Sequence, residues 1–298
     1  MARVLITGIT GFTGHYVAQA LYARGHDVIG MVRYGDQAAV TEGISYIFGE
    51  LADLSSLRKL INEARPDRVI HLAAISFVAH GDANAVYQAN LIGTLNLLQI
   101  LAEGPWGREG VLLASSANVY GAQGGELSEL SVPMPANHYG VSKLAMEHVA
   151  RIMGNVLPII VARPFNYTGV GQSSKFIIPK LIDHAQRGAT EIELGNIDVA
   201  RDFSDVRTVA ECYARLLDCP AAVGQTFNIC SGDSLSLREV IALIEEQAGL
   251  RFNVCTNPAL LRDGEIMDLY GCRARLDAAI GPIAMPDFRE TLRWMLEY

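Results

Sequence analysis

The chain opens with Arg3-Val-Leu-Ile-Thr7, a short β-branched run, and passes at once into Gly8-Ile-Thr-Gly11-Phe-Thr-Gly14. From His15 to Arg24 the apolar residues Val17, Ala18, Leu21 and Tyr22 fall at helical spacing. Strand, glycine turn and helix in direct succession leave few folds open. Glycines let the backbone approach a pyrophosphate, and the helix N-terminus presents unpaired amides to it. The spacing is GxxGxxG rather than GxGxxG, and a glycine-rich helix start without a ligand also fits it.

The alternation continues. Residues 27–33, 44–48, 68–72, 110–114 and 157–162 read as strands, and 55–64, 85–101 and 141–153 as helices. This order predicts an α/β fold, a Rossmann-type doubly wound parallel sheet. Its ligand crevice belongs at the carboxyl ends of the strands, and Gly8, Arg33, Ala73, Ser115 and Arg163 each end or follow such a run. Residues 1–165 are expected to form the dinucleotide-binding domain. Beyond them Pro179, Gly188 and Gly195 punctuate shorter elements, so 166–298 is expected to form a smaller α/β substrate-binding lobe. Part of 199–230 is expected to return to the large sheet. The apolar stripe of 85–101 fits either core or a dimer-facing helix.

With 298 residues, half of them hydrophobic and 19% charged, the chain is globular rather than disordered. A formal charge of −8 argues against nucleic acid, which needs a basic footprint. If ligands are polyphosphates, an acidic protein must place a few cations locally. No apolar stretch reaches membrane-spanning length, and a first strand at residue 3 leaves no room for a signal peptide, so the expected location is cytoplasmic. Five cysteines form no CxxC pair and suit reduced thiols. Seven histidines show no ligand spacing, and no metal is expected.

Tyr139 and Lys143, in His138-Tyr-Gly-Val-Ser-Lys143, share one helix face. There an ammonium can stabilise a phenolate and lower a proton affinity whose free pKa is about 10. Upstream, Leu112-Leu-Ala-Ser-Ser-Ala-Asn-Val-Tyr-Gly121 ends an apolar run in two hydroxyls. A serine held near the pair can bind a carbonyl oxygen, and the trio suits adding or removing a hydride beside a hydroxyl. Alone, a Tyr and a Lys four apart also fit an amphipathic helix without chemistry. The glycine turn earlier in the chain gives them weight.

With these motifs in series, the chain resembles the extended short-chain dehydrogenase/reductase family, which acts largely on nucleotide sugars. The likeness runs nearly end to end, through His71-Leu-Ala-Ala74, Asn90-Leu-Ile-Gly-Thr-Leu-Asn-Leu-Leu98, Arg163-Pro-Phe-Asn166, Arg201-Asp-Phe203 and Asn228-Ile-Cys-Ser-Gly232. By position it implies Tyr139 as proton donor and Lys143 as its partner and ribose anchor. Ser116 becomes the hydroxyl on the reacting oxygen, with Ser115 as its rival. The resemblance also implies that Gly8, Thr10, Gly11, Phe12, Thr13, Gly14, Arg33, Glu50, Leu51, Leu72, Ala73, Ala74, Asn90, Ser115 and Phe165 join Tyr139 and Lys143 around the cofactor.

Within the family, Gly8-Ile-Thr-Gly11 with Gly30-Met-Val-Arg33 resembles the GDP-mannose 4,6-dehydratase group. So do Leu194-Gly-Asn-Ile-Asp198 running into Arg201-Asp202, and Arg262-Asp-Gly-Glu265 followed by Gly271. That likeness implies a GDP-sugar held by Ser76, Ser116, Asn166, Lys180, Asn196, Arg201, Arg262 and Glu265. The chemistry agrees, since Lys180, Arg201 and Arg262 are the cations a diphosphate needs, and an arginine fork suits phosphate. Plainer roles stay open: ion pairs for the arginines, a solvated helix residue for Lys180, a turn for Asn166 and packing for Asn90.

The departures narrow the reaction. Dehydratases follow the catalytic hydroxyl with acidic residues, whereas Ser116 is followed by Ala117 and Asn118, neither able to take a proton. Reduction of a ketone or oxidation of an alcohol survives. The resemblance therefore points to the GDP-4-keto-6-deoxy-D-mannose reductases, which pass hydride from NAD(P)H to C4 and form GDP-D-rhamnose. A nucleotide-sugar C4 epimerase with tightly bound NAD is the alternative. A GDP-mannose 4,6-dehydratase, and a cofactor-sensing protein without chemistry, stand behind it. Arg33, where NAD enzymes usually place a carboxylate, favours NADP(H) and leaves NAD(H) open; it also fits a solvated strand end. Glu50 stands where the family usually has Asp against adenine, and Thr208 replaces a frequent Asp without an explanation. A homodimer through 85–101 and 141–153 is implied by the resemblance alone.

Overall fold

Val4, Leu5 and Ile6 are completely buried, because β1 (Arg3–Thr7) runs through the middle of a sheet covered on both faces. The computed structural model describes residues 1–36, 41–77, 81–260 and 266–298. Six more strands join β1: β2 (Asp27–Val32), β3 (Ile44–Phe48), β4 (Arg68–His71), β5 (Gly110–Ala114), β6 (Ile159–Pro164) and β7 (Thr226–Ile229). Their order is β7-β6-β5-β4-β1-β2-β3, and every pairing is parallel. This is the doubly wound sheet that the alternating pattern predicts, and its strands read as continuous apolar runs because helices cover both faces.

On one face α1 (Phe12–Ala23) packs Val17 and Leu21 in one core with Val209, Tyr213 and Leu216, which belong to the helix Val206–Leu217. On the other lie α2 (Leu54–Ala64), α3 (Gly93–Glu103) and α4 (His138–Met153), whose Leu57, Leu60, Ile61, Leu97, Leu101 and Met146 share a second core. α4 starts three residues before the apolar spacing suggests, because the Asn137 side chain caps it by accepting from Gly140 N at 2.8 Å.

Two expected elements differ. The stretch at 85–101 is broken: a short helix, Ala83–Tyr87, passes through a π turn, Gln88–Ile92, before α3. Asn90 sits in that turn. It accepts from Ile75 N at 2.8 Å and donates to Ile75 O at 3.1 Å and to Ser142 Oγ at 3.0 Å, tying the segment after β4 to α4. The strand expected at 157–162 runs instead over Ile159–Pro164 and so includes Arg163. A charged residue belongs inside this strand because Glu147 meets it there.

Beyond β6, the helices Ile177–Gln186, Leu237–Ala248 and Phe288–Glu297 enclose a third core around Leu181, Val240, Ile244 and Leu292. A small sheet runs in the order Leu235–Ser236, Ala200–Arg201, Asp268–Gly271, Gly125–Leu127. Asp202 is its hinge pin. Fully buried, it accepts from Ser231 N (2.8 Å), Ser231 Oγ (2.9 Å), Gly232 N (3.1 Å) and Gly271 N (3.2 Å). One carboxylate thus ties the segment leaving β7 to the small sheet. Among the described residues, no helix is long and apolar enough to cross a membrane. No group of three or more His, Cys, Asp or Glu among them is placed to hold a metal ion.

Asp202→Ala leaves three amides without their acceptor; Gly271 N is the buried one, and an unmet buried donor costs about 1–3 kcal/mol. Denaturant unfolding should show a loss of about 1–3 kcal/mol. A loss below about 1 kcal/mol, the net worth of one ordinary hydrogen bond, contradicts this role.

Candidate active site

The turn after β1 divides its glycines by role. Gly8 has φ +76°, and a Cβ there would stand 2.7 Å from Ala73 N; at Gly14 a Cβ would stand 2.4 Å from Gly8 O. Those two serve packing. At Gly11 a Cβ would meet only Gly8 O, at 3.2 Å, and the residue is exposed. Gly11 also begins α1 without any side-chain cap, so the amides of the first turn have no side-chain acceptor among the described residues. An open glycine at an uncapped helix start fits a dinucleotide pyrophosphate, with Thr10, Phe12 and Thr13 around it. Thr13 Oγ1 also meets Tyr167 OH at 2.8 Å, and Tyr167 stacks on Phe12 at 6.1 Å. No spacing signal marks Tyr167 in the sequence; only its place after Asn166 hints at it.

The remaining cofactor-side residues follow strand ends. Leu72, Ala73 and Ala74 come after β4, with Leu72 N on Thr7 O at 3.1 Å and Ala73 N on Thr7 Oγ1 at 3.3 Å. Glu50 and Leu51 come just after β3, and Leu51 O accepts from Asn96 Nδ2 at 2.9 Å. Arg33 follows β2. Its exposed guanidinium donates to Asp36, Nε to Oδ2 at 3.1 Å. An exposed pair of that kind is worth at most about 1 kcal/mol, so a phosphate can displace the carboxylate. Phe165 is buried and packs beneath the Tyr120 ring at 6.1 Å.

At the end of β5 the two serines part. Ser115 Oγ donates to Glu147 Oε1 on α4. Ser116 begins the short 3-10 turn Ala117–Tyr120, where its Oγ accepts from Asn118 N at 3.1 Å and Asn118 Nδ2 at 3.2 Å. Of the two serines, Ser116 is the one that acts on the Tyr139 phenol, favouring loss of its proton. A Cβ at Gly140 would stand 2.6 Å from Asn118 O, so the glycine after Tyr139 lets the serine turn sit directly on α4.

Lys143 is buried, donates to Ala114 O at 2.6 Å, and lies 5.9 Å from the centroid of the Tyr139 ring. Burial pulls its pKa from 10.5 down to about 8, while Glu147 works the other way. The expected lowering of the Tyr139 proton affinity by Lys143 is not what sets the net shift of this phenol. Burial, reinforced by the Tyr167 phenol, raises the Tyr139 pKa above 10 and outweighs the opposing effect of Ser116. Near neutral pH Tyr139 is therefore a protonated phenol, a donor rather than a base.

Of the expected substrate residues, Ser76 is exposed beyond β4, and Asn166 Nδ2 donates to Asp202 O at 3.2 Å. Arg201 Nη1 donates to Ala200 O at 2.7 Å and Ile266 O at 2.8 Å. Asn196 accepts from Asp198 N at 3.0 Å and approaches Met267 Sδ at 3.7 Å. Arg201 and Asn196 thus meet the same returning segment. Lys180 Nζ donates to Glu193 O at 2.8 Å. Arg262 and Glu265 lie outside the described residues.

Comparison with known proteins agrees with this geometry. Residues 4–230 match the model of the NAD dependent epimerase/dehydratase family. The chain is 36% identical to the GDP-6-deoxy-D-mannose reductase of Pseudomonas aeruginosa, covering 99% of this chain and 96% of that one. It is 32% identical to the GDP-6-deoxy-D-talose 4-dehydrogenase of Aggregatibacter actinomycetemcomitans, covering 94% and 91%. The structure of RMD from Pseudomonas aeruginosa complexed with NADPH superposes with a TM-score of 0.83 at 34% identity, covering 100% of this chain and 98% of that one.

The burial of Lys143 has a measurable consequence. Titration of its ε-carbon by NMR should give a midpoint near 8. Because the unfolded chain keeps that proton up to about 10.5, this group makes the fold more stable as pH rises from 8 toward 10.5. A midpoint at or above 10.5 contradicts the burial argument.

Proposed function

The chain belongs to the NAD dependent epimerase/dehydratase family, and on that footing we propose that it reduces the C4 ketone of GDP-4-keto-6-deoxy-D-mannose to GDP-D-rhamnose. One observation carries the reading. Beside the Ser116 and Tyr139 hydroxyls, the positions that hold acidic residues in dehydratases hold Ala117 and Asn118, and Asn118 is already bonded to Ser116. The site has a proton to give and no carboxylate there to take one. Reduction asks for nothing more.

In this mechanism Ser116 donates a hydrogen bond to the ketone oxygen, and Tyr139 gives its phenolic proton to that oxygen as charge develops on it. Lys143, when protonated, offsets the phenolate that remains. Bound NADP(H) supplies the hydride. NADP(H) is favoured over NAD(H) because Arg33, held among the described residues by an exposed pair with Asp36, can turn to a 2′-phosphate. The NADPH complex of the RMD relative supports the same choice.

Residues 166–298 form the substrate-binding lobe in this reading, apart from the part of 199–230 that returns to the large sheet with the helix Val206–Leu217 and β7. Ser76, Asn166, Lys180, Asn196 and Arg201 hold the GDP-sugar together with Arg262 and Glu265. The protein works in the cytoplasm as a homodimer, paired through α3 and α4, which leave Leu95, Val141 and Ile152 exposed.

The test is to supply GDP-4-keto-6-deoxy-D-mannose with NADPH. One NADPH should be oxidised per sugar, with GDP-6-deoxy-D-mannose identified by NMR. Tyr139→Phe should lower turnover by about 10²–10⁴-fold with NADPH affinity close to that of the wild type. A variant that keeps most of its activity contradicts the acid role. Interconversion of sugars without net NADPH consumption overturns the reductase in favour of a C4 epimerase.

A further inference from the structure

We propose that Asn118 is a positioning residue that makes the Ser116 hydroxyl an obligate donor toward the reacting oxygen, with its own orientation set by the cap of the catalytic helix. A hydroxyl carries one proton and two acceptor lone pairs. Ser116 Oγ accepts from Asn118 N at 3.1 Å and from Asn118 Nδ2 at 3.2 Å, so both lone pairs are occupied. Its proton is left to point away from Asn118, toward an oxygen brought to the serine by a ligand. An amide oxygen facing Ser116 in place of the nitrogen would draw that proton away.

The helix cap decides which end of the amide faces the serine. Asn137 uses Oδ1 to accept from Gly140 N at 2.8 Å, which leaves its Nδ2 to reach Asn118 Oδ1 at 3.4 Å. Asn118 must then present its nitrogen to Ser116. Gly140 holds the same two segments together, since a Cβ there would collide with Asn118 O. A line of donors therefore runs from Asn137 to Asn118 to Ser116 and on to the oxygen being reduced. A carboxylate at position 118 could only accept. The residue type that would serve as a base for dehydration is thus one that takes the Ser116 proton out of the cleft.

This inference rests on the reductase reading only for the identity of that oxygen. Asn118→Asp, nearly isosteric, and Asn118→Ala test it, with thermal midpoints recorded to confirm folding. At pH 8, Asn118→Asp should lose roughly 10²-fold in kcat, the order expected for one oxyanion donor. KM for the sugar and affinity for NADPH should stay close to the wild type. Relative to wild type at each pH, the loss should shrink on acidification, because a protonated carboxyl can donate again, and Asn118→Ala should show no such recovery. Wild-type kcat for Asn118→Asp at pH 8, or an equal loss in both variants at every pH, overturns the proposal. If the wild type fails to reduce the GDP-keto sugar, the reductase reading falls by itself. The same variants assayed on UDP-glucose with NAD then decide the role of Asn118 by the same two outcomes.

Discussion

Glu147 and Arg163 form a bidentate ion pair in the interior, and the catalytic groups depend on it for their placement. Arg163 Nε and Nη2 donate to the two carboxylate oxygens at 2.9 and 2.6 Å, and each side chain is only 6% exposed. Glu147 lies one turn beyond Lys143 on α4, while Arg163 belongs to β6. Ser115 gives its hydroxyl to the same carboxylate, and Arg163 Nη1 donates to Tyr120 OH at 3.0 Å. Tyr120 in turn donates to Asn228 Oδ1 on β7 at 2.6 Å. One charge pair therefore joins the catalytic helix, the serine turn and the two outermost strands on that side of the sheet. Removing either partner strands the other charge, which typically costs about 3–5 kcal/mol. Its value lies less in net stability than in the single register it allows α4.

Burial shapes the chemistry as well as the architecture. The environment that keeps the Tyr139 phenol protonated also loosens the proton on Lys143, and Glu147 partly restores it. Acid and electrostatic partner are thus tuned from the same low-polarity site in opposite directions. The Ser116 turn completes the arrangement through Gly140, where the absence of a side chain brings two backbone segments into contact.

Much of this was legible in the sequence for physical reasons. Parallel strands covered on both faces must be apolar throughout, so β1, β2 and β5 stand out, and the glycines mark where backbone meets backbone or ligand. Tyr139 and Lys143 follow from helical spacing, Ser116 from family likeness. Other features depend on partners far apart in the chain. The π turn that places Asn90 is set by contacts to Ile75 and Ser142. Arg163 reads as the end of a strand until Glu147 is seen to neutralise it. The rise in the Tyr139 pKa reflects burial, which a four-residue spacing does not report. Asn118 and Asn137, nineteen positions apart, look like ordinary turn residues until the fold brings their amides together.

Hydride transfer to a ketone carbon, with Tyr139 protonating its oxygen, can be read directly from isotopes. NADPH deuterated at the transferring position of its nicotinamide would be incubated with the GDP-keto sugar, and the product examined by NMR. One deuteron at C4 for each NADP⁺ formed is the expected result. A product without deuterium at C4, or deuterium at C4 with no net oxidation of NADPH, contradicts it.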